Sequence, residues 1–256
     1  MCQFLSAIIM KSGDILCDPE HTDSHEDLIL ANNLNDGKTS FFHQSFCRVE
    51  FLPPPNFKNI ANLDKWKLKL NENERPQWYK EDEIRRRMQN IVKRMFISGR
   101  RQMLLGGYHI LLPRAKVDNV KNSRIYMMYE DSYINGVFGS SRIDTMYGNS
   151  IVAAIYEDSQ IKIMAGHSLV DMMFGHSLII TMLGESKVNT MSADSQINTM
   201  LENSQVHKMI NYSKINVMYE YSKVNELWGD SQIKQLFDNA KIVNDYREKS
   251  STKSLI

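Results

Sequence analysis

Residues 123–239 read SRIYMMYED SYINGVFGS SRIDTMYGN SIVAAIYED SQIKIMAGH SLVDMMFGH SLIITMLGE SKVNTMSAD SQINTMLEN SQVHKMINY SKINVMYEY SKVNELWGD SQIKQLFDN, which is thirteen consecutive units of nine residues. Position 1 is always Ser, position 3 is Ile or Val, and position 6 is Met, Leu, Ile or Val. A partial unit follows at residues 240–242. Because a sustained period is the signature of a repeat architecture, it has to be interpreted before any local motif.

The nine-residue period excludes a continuous helix and a continuous flat strand. An α-helix turns by about 100° per residue, so nine residues would place successive apolar positions on opposite faces. Nine is also odd, so a flat strand would invert its two faces at every unit. The chain must therefore turn a corner at least once per unit. Ile and Val at position 3 favour a short strand, and the Gly, Asp, Asn and Ser of positions 8, 9 and 1 favour the corner.

These constraints predict a mainly β chain, a parallel β-solenoid whose stacked coils pair about 4.8 Å apart. We expect about two nine-residue units per coil, with three per coil as the alternative. The predicted domains are an α+β N-terminal capping domain at 1–113, the solenoid at 114–245 and a polar tail at 246–256. The invariant Ser is expected to bond to the backbone of the corner.

The array, which covers about half of the chain, is similar in its logic to pentapeptide-repeat and nonapeptide β-roll solenoids. The resemblance implies an architecture, because neither family motif is present. The five-residue A-[DN]-L-x-x pattern is absent, and the calcium-binding nonapeptide needs G-G-x-G-x-D, whereas position 9 here is Asp, Asn, Ser, His, Glu or Tyr with no preceding glycine pair. Calcium binding is therefore not expected. The sequence also lacks a Gly-rich phosphate loop, G-x-S-x-G and H-E-x-x-H, and we expect no other metal and no cofactor.

Position 7 is the most informative surface position, because it follows the inward position 6 and should lean outward. It carries eight aromatic residues: Tyr129, Phe138, Tyr147, Tyr156, Phe174, Tyr219, Trp228 and Phe237. Two interpretations stay open. The rings either cover a wide corner and are half buried against each other, or they form an exposed stripe that binds a partner or a second copy of the chain.

Polar residues also recur in the array. Position 4 predicts a stacked amide ladder, carried by Asn189, Asn198, Asn216 and Asn225. His167 and His176 occupy position 9 of successive units, and two ligands are too few for a metal, so they are predicted to be solvated corner residues. Asp and Glu only slightly outnumber Lys and Arg across the solenoid predicted at 114–245, which is a weak basis for a rod that mimics duplex DNA.

The first hundred residues do not repeat and predict an α+β domain. Apolar and alternating runs predict strands at 3–10, 15–17, 47–52, 66–70 and 104–112. Asp23-Ser24-His25-Glu26 resembles a capping box that begins a short helix through Leu34. An apolar stripe at helical spacing predicts a longer helix over 76–97. Residues 115–122 resemble a repeat that is one residue short.

The helix predicted at 76–97 carries a basic patch, formed by Arg85, Arg86, Arg87, Lys93 and Arg94. Acidic residues at 81–83 precede the patch. This order complements the helix dipole and favours a solvated helix face. Contact with RNA or DNA is the alternative interpretation.

Two constellations bear on catalysis. Cys2 follows Met1, so removal of Met1 would leave an N-terminal Cys whose amine could act as the base for its own thiol, as in N-terminal-nucleophile amidotransferases; the other motifs of those enzymes are not visible. His21 and His25 are candidates for a small acid–base group with neighbouring carboxylates.

The same histidines have metal-ligand chemistry together with Cys17 and Cys47. Their spacing lacks the usual C-x2-C knuckle, so core cysteines and helix-cap residues explain them better.

Composition limits the expected location and partners. The net charge of +1 gives no overall attraction to nucleic acid or to an anionic membrane. Three cysteines do not make a disulfide framework, and no signal peptide or membrane span is recognisable, so we expect a cytoplasmic protein without a membrane partner.

The favoured function is a non-enzymatic binding or scaffold protein whose rigid solenoid face meets a macromolecule, a protein in preference to nucleic acid. The alternative is an N-terminal enzyme or nucleic-acid-binding module with the solenoid as its docking arm. Self-association is expected either through the C-terminal end of the solenoid or through the aromatic stripe.

Overall fold

The computed structural model describes residues 5–34, 45–55 and 59–247. The chain is mainly β, as predicted, and divides into two compact units, Met1–Phe96 and Ile97–Ile256. Across the described ranges, no helix is both long enough and apolar enough to span a membrane. The prediction that the first unit caps the second stays a prediction.

The first unit contains a four-stranded antiparallel sheet in the order β2-β1-β3-β4. Its elements are β1 (Leu5–Met10), β2 (Ile15–Leu16), α1 (His25–Ala31), β3 (Phe46–Leu52), a 3-10 turn (Leu63–Lys65), β4 (Lys67–Leu70) and α2 (Glu81–Met95). The α+β prediction is confirmed, and Ser24 is the N-cap of α1, where its side chain accepts from the Asp27 N–H.

Helix α2 is shorter than predicted. The Tyr79 N–H donates to the Pro76 carbonyl at 3.0 Å, which closes a turn before the helix, and Lys80 is extended as the N-cap. The helix ends because Phe96 is extended, with φ −72° and ψ 125°. The predicted apolar stripe is buried at Ile84, Met88, Val92 and Met95.

The second unit is a parallel β-solenoid built from two nine-stranded sheets. We call one the Ile sheet, because its repeat strands carry Ile at position 3; its strands are β5 (Phe96–Ile97), β7 (Tyr108–Leu111), β9 (Arg124–Met128), β11 (Arg142–Met146), β13 (Gln160–Met164), β15 (Leu178–Met182), β17 (Gln196–Met200), β19 (Lys214–Met218) and β21 (Gln232–Leu236). The other, the Val sheet, contains β6 (Arg100–Leu105), β8 (Lys116–Lys121), β10 (Tyr133–Phe138), β12 (Ile151–Ile155), β14 (Leu169–Met173), β16 (Lys187–Met191), β18 (Gln205–Met209), β20 (Lys223–Leu227) and β22 (Lys241–Asp245).

The strand register fixes two units per coil and removes the three-unit alternative. Paired residues in the array are 18 apart, as in Ile143 with Ile161 and Met146 with Met164. Lys116 pairs with Tyr133, which is only 17 residues away, so the unit before the array is indeed one residue short. Identical positions therefore stack in ladders along both sheets.

The solenoid strands begin before residue 114, from which the sequence predicted the domain. The single strand predicted at 104–112 is two strands, because Gly106 and Gly107 both have positive φ (65° and 82°) and turn the chain from β6 into β7. These strands lack the Ser, Ile and Met signature of the array, so the repeat pattern does not reveal them.

Each corner is a tight turn at positions 7, 8, 9 and 1. The N–H of position 1 donates to the carbonyl of position 7, at 3.2 Å for both Ser159 to Tyr156 and Ser204 to Leu201. Position 8 has a positive φ, between 52° and 70°, in all thirteen units. The left-handed residue reverses the chain and lets positions 3 and 6 of the next strand face inward again.

The core is a double ladder between the two sheets. From Ile125 to Leu227 every position 3 and position 6 side chain is fully buried. The ladder side chains are less buried in the last coil, where Ile233 and Ile242 are half buried and Leu236 is 43% exposed. Asp245 stands at the position that carries Met, Leu, Ile or Val in all thirteen earlier units, so the apolar ladder stops there.

The expectation for the invariant Ser is only partly right. All thirteen serines are buried, and Ser141, Ser222 and Ser231 donate to the position 7 carbonyl of their own corner at 2.6–2.7 Å. Eight others have no hydrogen-bond partner for Oγ within the described residues: Ser132, Ser150, Ser168, Ser177, Ser186, Ser195, Ser204 and Ser213. At these sites the small size of Ser, and not its hydroxyl, fits the corner.

Candidate functional site

The position 7 residues form two ladders, one at each corner of the coil. The first corner follows the Ile sheet and stacks Tyr129, Tyr147, Ala165, Leu183, Leu201, Tyr219 and Phe237. The second corner follows the Val sheet and stacks Phe138, Tyr156, Phe174, Ser192, Ile210, Trp228 and Tyr246. The eight predicted aromatic residues are thus divided between two corners, because successive units alternate between the sheets.

Within each ladder the rings stack on one another. Tyr129 and Tyr147 have ring centroids 5.9 Å apart with planes 5° from parallel, and Tyr156 stacks between Phe138 at 4.8 Å and Phe174 at 5.4 Å. Such stacking holds the rings in one orientation, with a flank of each still turned to solvent.

Near the C-terminal end the same stacking recurs. Tyr219 stacks on Phe237 at 5.0 Å, and Trp228 stacks on Tyr246 at 4.3 Å. Trp228 also lies under the Lys208 ammonium, 5.1 Å from its ring centroid, and its indole N–H donates to Glu226 at 3.0 Å. Trp228 is therefore held from three sides.

Several large apolar side chains are exposed in the last coils of the solenoid, and Leu105 and Met103 are exposed in its first coil. Among the predicted binding residues Tyr147, Trp228 and Phe237 are the most exposed, at 41, 38 and 43%. The sequence analysis missed three further exposed rings, Tyr212, Tyr221 and Tyr246. The signal was available, since Tyr at position 9 of the tenth and eleventh units departs from the Asp and Asn usual there.

A ladder of position 8 carboxylates runs along the first corner, next to the position 7 ladder of the same corner. The carboxylate of Glu202 accepts from the Gly184 N–H at 2.6 Å, Glu220 accepts from the Glu202 N–H at 2.6 Å, and Asp238 accepts from the Glu220 N–H at 3.3 Å. At the second corner Glu157 binds the Gly139 N–H at 2.6 Å in the same way.

These bonds explain glutamate at a left-handed position. The left-handed conformation costs an L-residue about 1–2 kcal/mol, and a hydrogen bond to a charged group contributes about 1.5–3 kcal/mol. The two terms are of similar size, so a carboxylate that reaches the previous coil offsets the strain of its own backbone.

The solenoid surface separates its charges by position. Positions 8 and 9, at the corners, carry ten Asp or Glu and no Lys or Arg across the thirteen units. Positions 2, 4 and 5, on the strands, carry eight Lys or Arg and three Asp or Glu. A net charge of +1 for the chain conceals this pattern, which gives acidic corners and basic sheet faces.

The outer sheet faces carry short polar ladders. Asn216 donates to Asn198 at 2.9 Å on the Ile sheet, which confirms part of the predicted amide ladder. On the Val sheet Asn189 donates to Asp171 at 2.6 Å. Near the start of the Ile sheet the Asp144 carboxylate lies 2.9 Å from the Nε atoms of both Arg124 and Arg142.

His167 and His176 lie at different corners. The Nδ1 atom of His167 is 3.4 Å from Glu185, and that of His176 is 3.7 Å from Asp158. Both rings are well exposed, as expected for solvated corner residues.

The histidines and cysteines of the first unit do not form one site. His25 is buried, with Nε2 2.9 Å from the Val49 carbonyl, whereas His21 lies on the surface with Nδ1 2.9 Å from Asp18, whose hydrogen bond raises the pKa of His21. Cys2 lies outside the described residues. Across the described ranges no group of three or more His, Cys, Asp and Glu side chains could hold a metal.

The thiols that the structure describes are poor nucleophiles. Cys17 and Cys47 are free, and burial raises the pKa of both, to about 12 for Cys47. A thiolate is the reactive form of cysteine, so at neutral pH these two thiols are nearly inert.

The basic patch on α2 is partly used within the first unit. Arg85 donates to the Trp66 carbonyl at 2.8 Å, and Arg87 donates to the Gly13 carbonyl. Arg86, Lys93 and Arg94 are exposed. Three solvated cations on one helix remain for the predicted contact with nucleic acid.

Comparison with family models, with curated proteins and with solved structures gave no match for this chain.

Proposed function

We propose that the chain is a non-enzymatic binding or scaffold protein whose solenoid presents the two aromatic corners to a macromolecule, a protein in the first instance. One observation carries the proposal: rings of the type that dominate protein interfaces are held in register by stacking and still expose a flank. Because these side chains are already ordered, binding costs little further conformational entropy.

The proposal includes a cytoplasmic location without a membrane partner. The free thiols of Cys17 and Cys47 support a reducing compartment. The alternative, an N-terminal enzyme or nucleic-acid-binding module, has less support, because two of its five basic residues are engaged within the first unit.

Site-specific photo-crosslinking in a native extract tests the proposal. A benzophenone amino acid replaces Tyr147, Trp228 or Phe237 in turn, and replaces exposed Lys162 as the matched control on a sheet face. We expect a protein adduct of the same mass at the positions of one or both corners and none at Lys162. Equal capture at all four positions, no capture, or capture of nucleic acid alone would contradict the proposal.

The partner identified in this way then allows a binding measurement. The variant with Tyr147, Tyr219 and Trp228 changed to Ser should lose at least about tenfold in affinity, since aromatic anchors commonly contribute 2 kcal/mol or more each. The control changes the non-aromatic position 7 residues Leu183, Leu201 and Ile210 to Ser. If both triple variants bind alike while their circular dichroism is unchanged, the rings are not the interface.

A further inference from the structure

The first unit contains a cavity of about 290 Å³ between the β1–β2 turn and the N-terminal half of α2. Ile9 and Met10 at the end of β1 and Ile84 on α2 form its apolar floor. Its volume is near the lower end of those found for small-molecule sites, which are concave, mainly apolar and provided with a few convergent polar groups.

The rim of the cavity is basic. Lys11, Lys80 and Arg87 line it, against a single acid, Glu83. Within the described residues neither Lys11 nor Lys80 forms an ion pair or a side-chain hydrogen bond, so both ammonium groups are available. Cations gathered on a low-dielectric concave surface attract an anion more strongly than the same cations on an open surface.

Arg87 is fixed in place by the turn. Its guanidinium donates from Nη1 to the Gly13 carbonyl, and Gly13 has φ +96°, a conformation that favours glycine. One nitrogen thus anchors the guanidinium, whose other N–H groups have no hydrogen-bond partner within the described residues. An arginine held in this way loses little entropy when it binds a carboxylate or a phosphate.

Trp78 supplies an aromatic wall beside these cations. It is half buried, whereas Trp66 in the same unit is 1% exposed and inaccessible. An indole next to an apolar floor favours a planar ring as the second part of the ligand.

We propose that this cavity binds a small aromatic anion, with its ring against Trp78 and its carboxylate or phosphate between Lys11, Lys80 and Arg87. The site is independent of the corners of the solenoid, so its failure would leave the proposed scaffold function untouched. A carboxylate and a phosphate satisfy the same three cations, and the test distinguishes them.

Tryptophan fluorescence reports on binding in the Trp228→Phe variant, where Trp78 is the remaining accessible indole. The probes are phenyl phosphate and benzoate, with benzyl alcohol as the uncharged match and inorganic phosphate as the anion without a ring. We expect saturable quenching by at least one aromatic anion, weakened by salt, and affinities at least about tenfold lower for benzyl alcohol and inorganic phosphate.

Charge substitutions complete the test. Lys11→Gln and Lys80→Gln should each weaken binding of the better anion by about tenfold. Lys93→Gln, on an exposed part of α2, is the matched control and should bind as the parent does. No saturable quenching at millimolar anion, equal affinity for benzyl alcohol, or unchanged binding in both Lys→Gln variants with parental circular dichroism would overturn the proposal.

Discussion

The buried serines of the corners allow a prediction that distinguishes fit from hydrogen bonding. Ser177, Ser195 and Ser204 have an Oγ without a partner among the described residues, whereas Ser222 and Ser231 donate to a carbonyl at 2.7 Å. A buried hydroxyl without a partner costs about 1–3 kcal/mol relative to water, and a satisfied one contributes about 1 kcal/mol. Ser→Ala should therefore stabilise the first three sites by up to about 1 kcal/mol each and destabilise the other two by about 1 kcal/mol.

The chain contains its own precedent for alanine at this position. Ala240 follows the thirteen units where a further Ser would stand, and its N–H still donates to the Phe237 carbonyl at 3.1 Å. The turn therefore forms without the hydroxyl, and the substitution should not alter the corner.

Urea unfolding followed by circular dichroism measures the effect, with the slope of each transition compared to the parent, because stacked coils can unfold in stages. Near the melting temperature 1 kcal/mol corresponds to about 2–4 °C in a protein of this size. Equal destabilisation at all five sites would refute the reasoning, since it would mean that every Ser hydroxyl is bonded in the corner.

Glu202→Ala should destabilise the solenoid by about 1.5–3 kcal/mol, because it removes a charged acceptor and keeps the left-handed strain, while Glu202→Gly should cost about 1 kcal/mol less; thermal unfolding that ranks Gly below Ala would contradict this. Cys47, whose pKa of about 12 lies some three units above its ordinary value of 9.0, should be alkylated by iodoacetamide at pH 8 about a thousandfold more slowly than in urea-unfolded chain, as read by mass spectrometry; equal rates would show that burial does not protect the thiol. Arg247→Ala should raise self-association in sedimentation velocity, because Arg247 pairs with Asp245 on β22, the last strand of the Val sheet, and donates to the Ser231 carbonyl at 3.2 Å; an unchanged sedimentation coefficient at every concentration would exclude this role.

The fold could be predicted from the sequence because the nine-residue period of the array constrains the path of the chain. An odd period of nine rules out uninterrupted helix and strand, so the solenoid follows from arithmetic and turn chemistry. The number of units per coil is also encoded in the sequence: from Ile143 to Ile233 position 3 alternates strictly between Ile and Val. That alternation has a period of 18 residues, the same as the register between paired strands.

The coil that opens the solenoid could not be recognised in the same way. Leu104 and Tyr108 lie in strands of the two solenoid sheets, yet Gly99 and Gly107 stand where the repeat has Ser, and Leu104 and Leu111 stand where it most often has Met. Only the pair Gly106 and Gly107 marks the turn between them. Where no neighbouring unit repeats the pattern, a single strand and a hairpin of two strands give similar local signals.

The candidate sites were less accessible, because they depend on which residues the coil brings together. Tyr147 and Tyr156 belong to successive units of the sequence, but they lie in different ladders. Tyr147 stacks on Tyr129, and Tyr156 stacks on Phe174. The cavity of the first unit joins Lys11 to Arg87 across more than seventy residues, through a turn whose glycine is unremarkable in sequence. Neither pairing has a local signal, since each is produced by register and topology.

The separation of charge between acidic corners and basic sheet faces affects which partners can bind at the aromatic corners. At the first corner Glu220 and Asp238 each follow a ring, Tyr219 and Phe237, and both carboxylates are already held by backbone N–H groups. They are therefore fixed negative charges beside fixed rings. A polyanion that contacted the rings would be repelled by these carboxylates, with no Lys or Arg at positions 8 and 9 of the array to offset the repulsion. A partner with Lys or Arg near its apolar contact residues would bind more tightly, because its cations could form ion pairs with the carboxylates and cation–π contacts with the ring faces. The acidic corners therefore favour a basic protein surface over nucleic acid as the proposed partner of the rings.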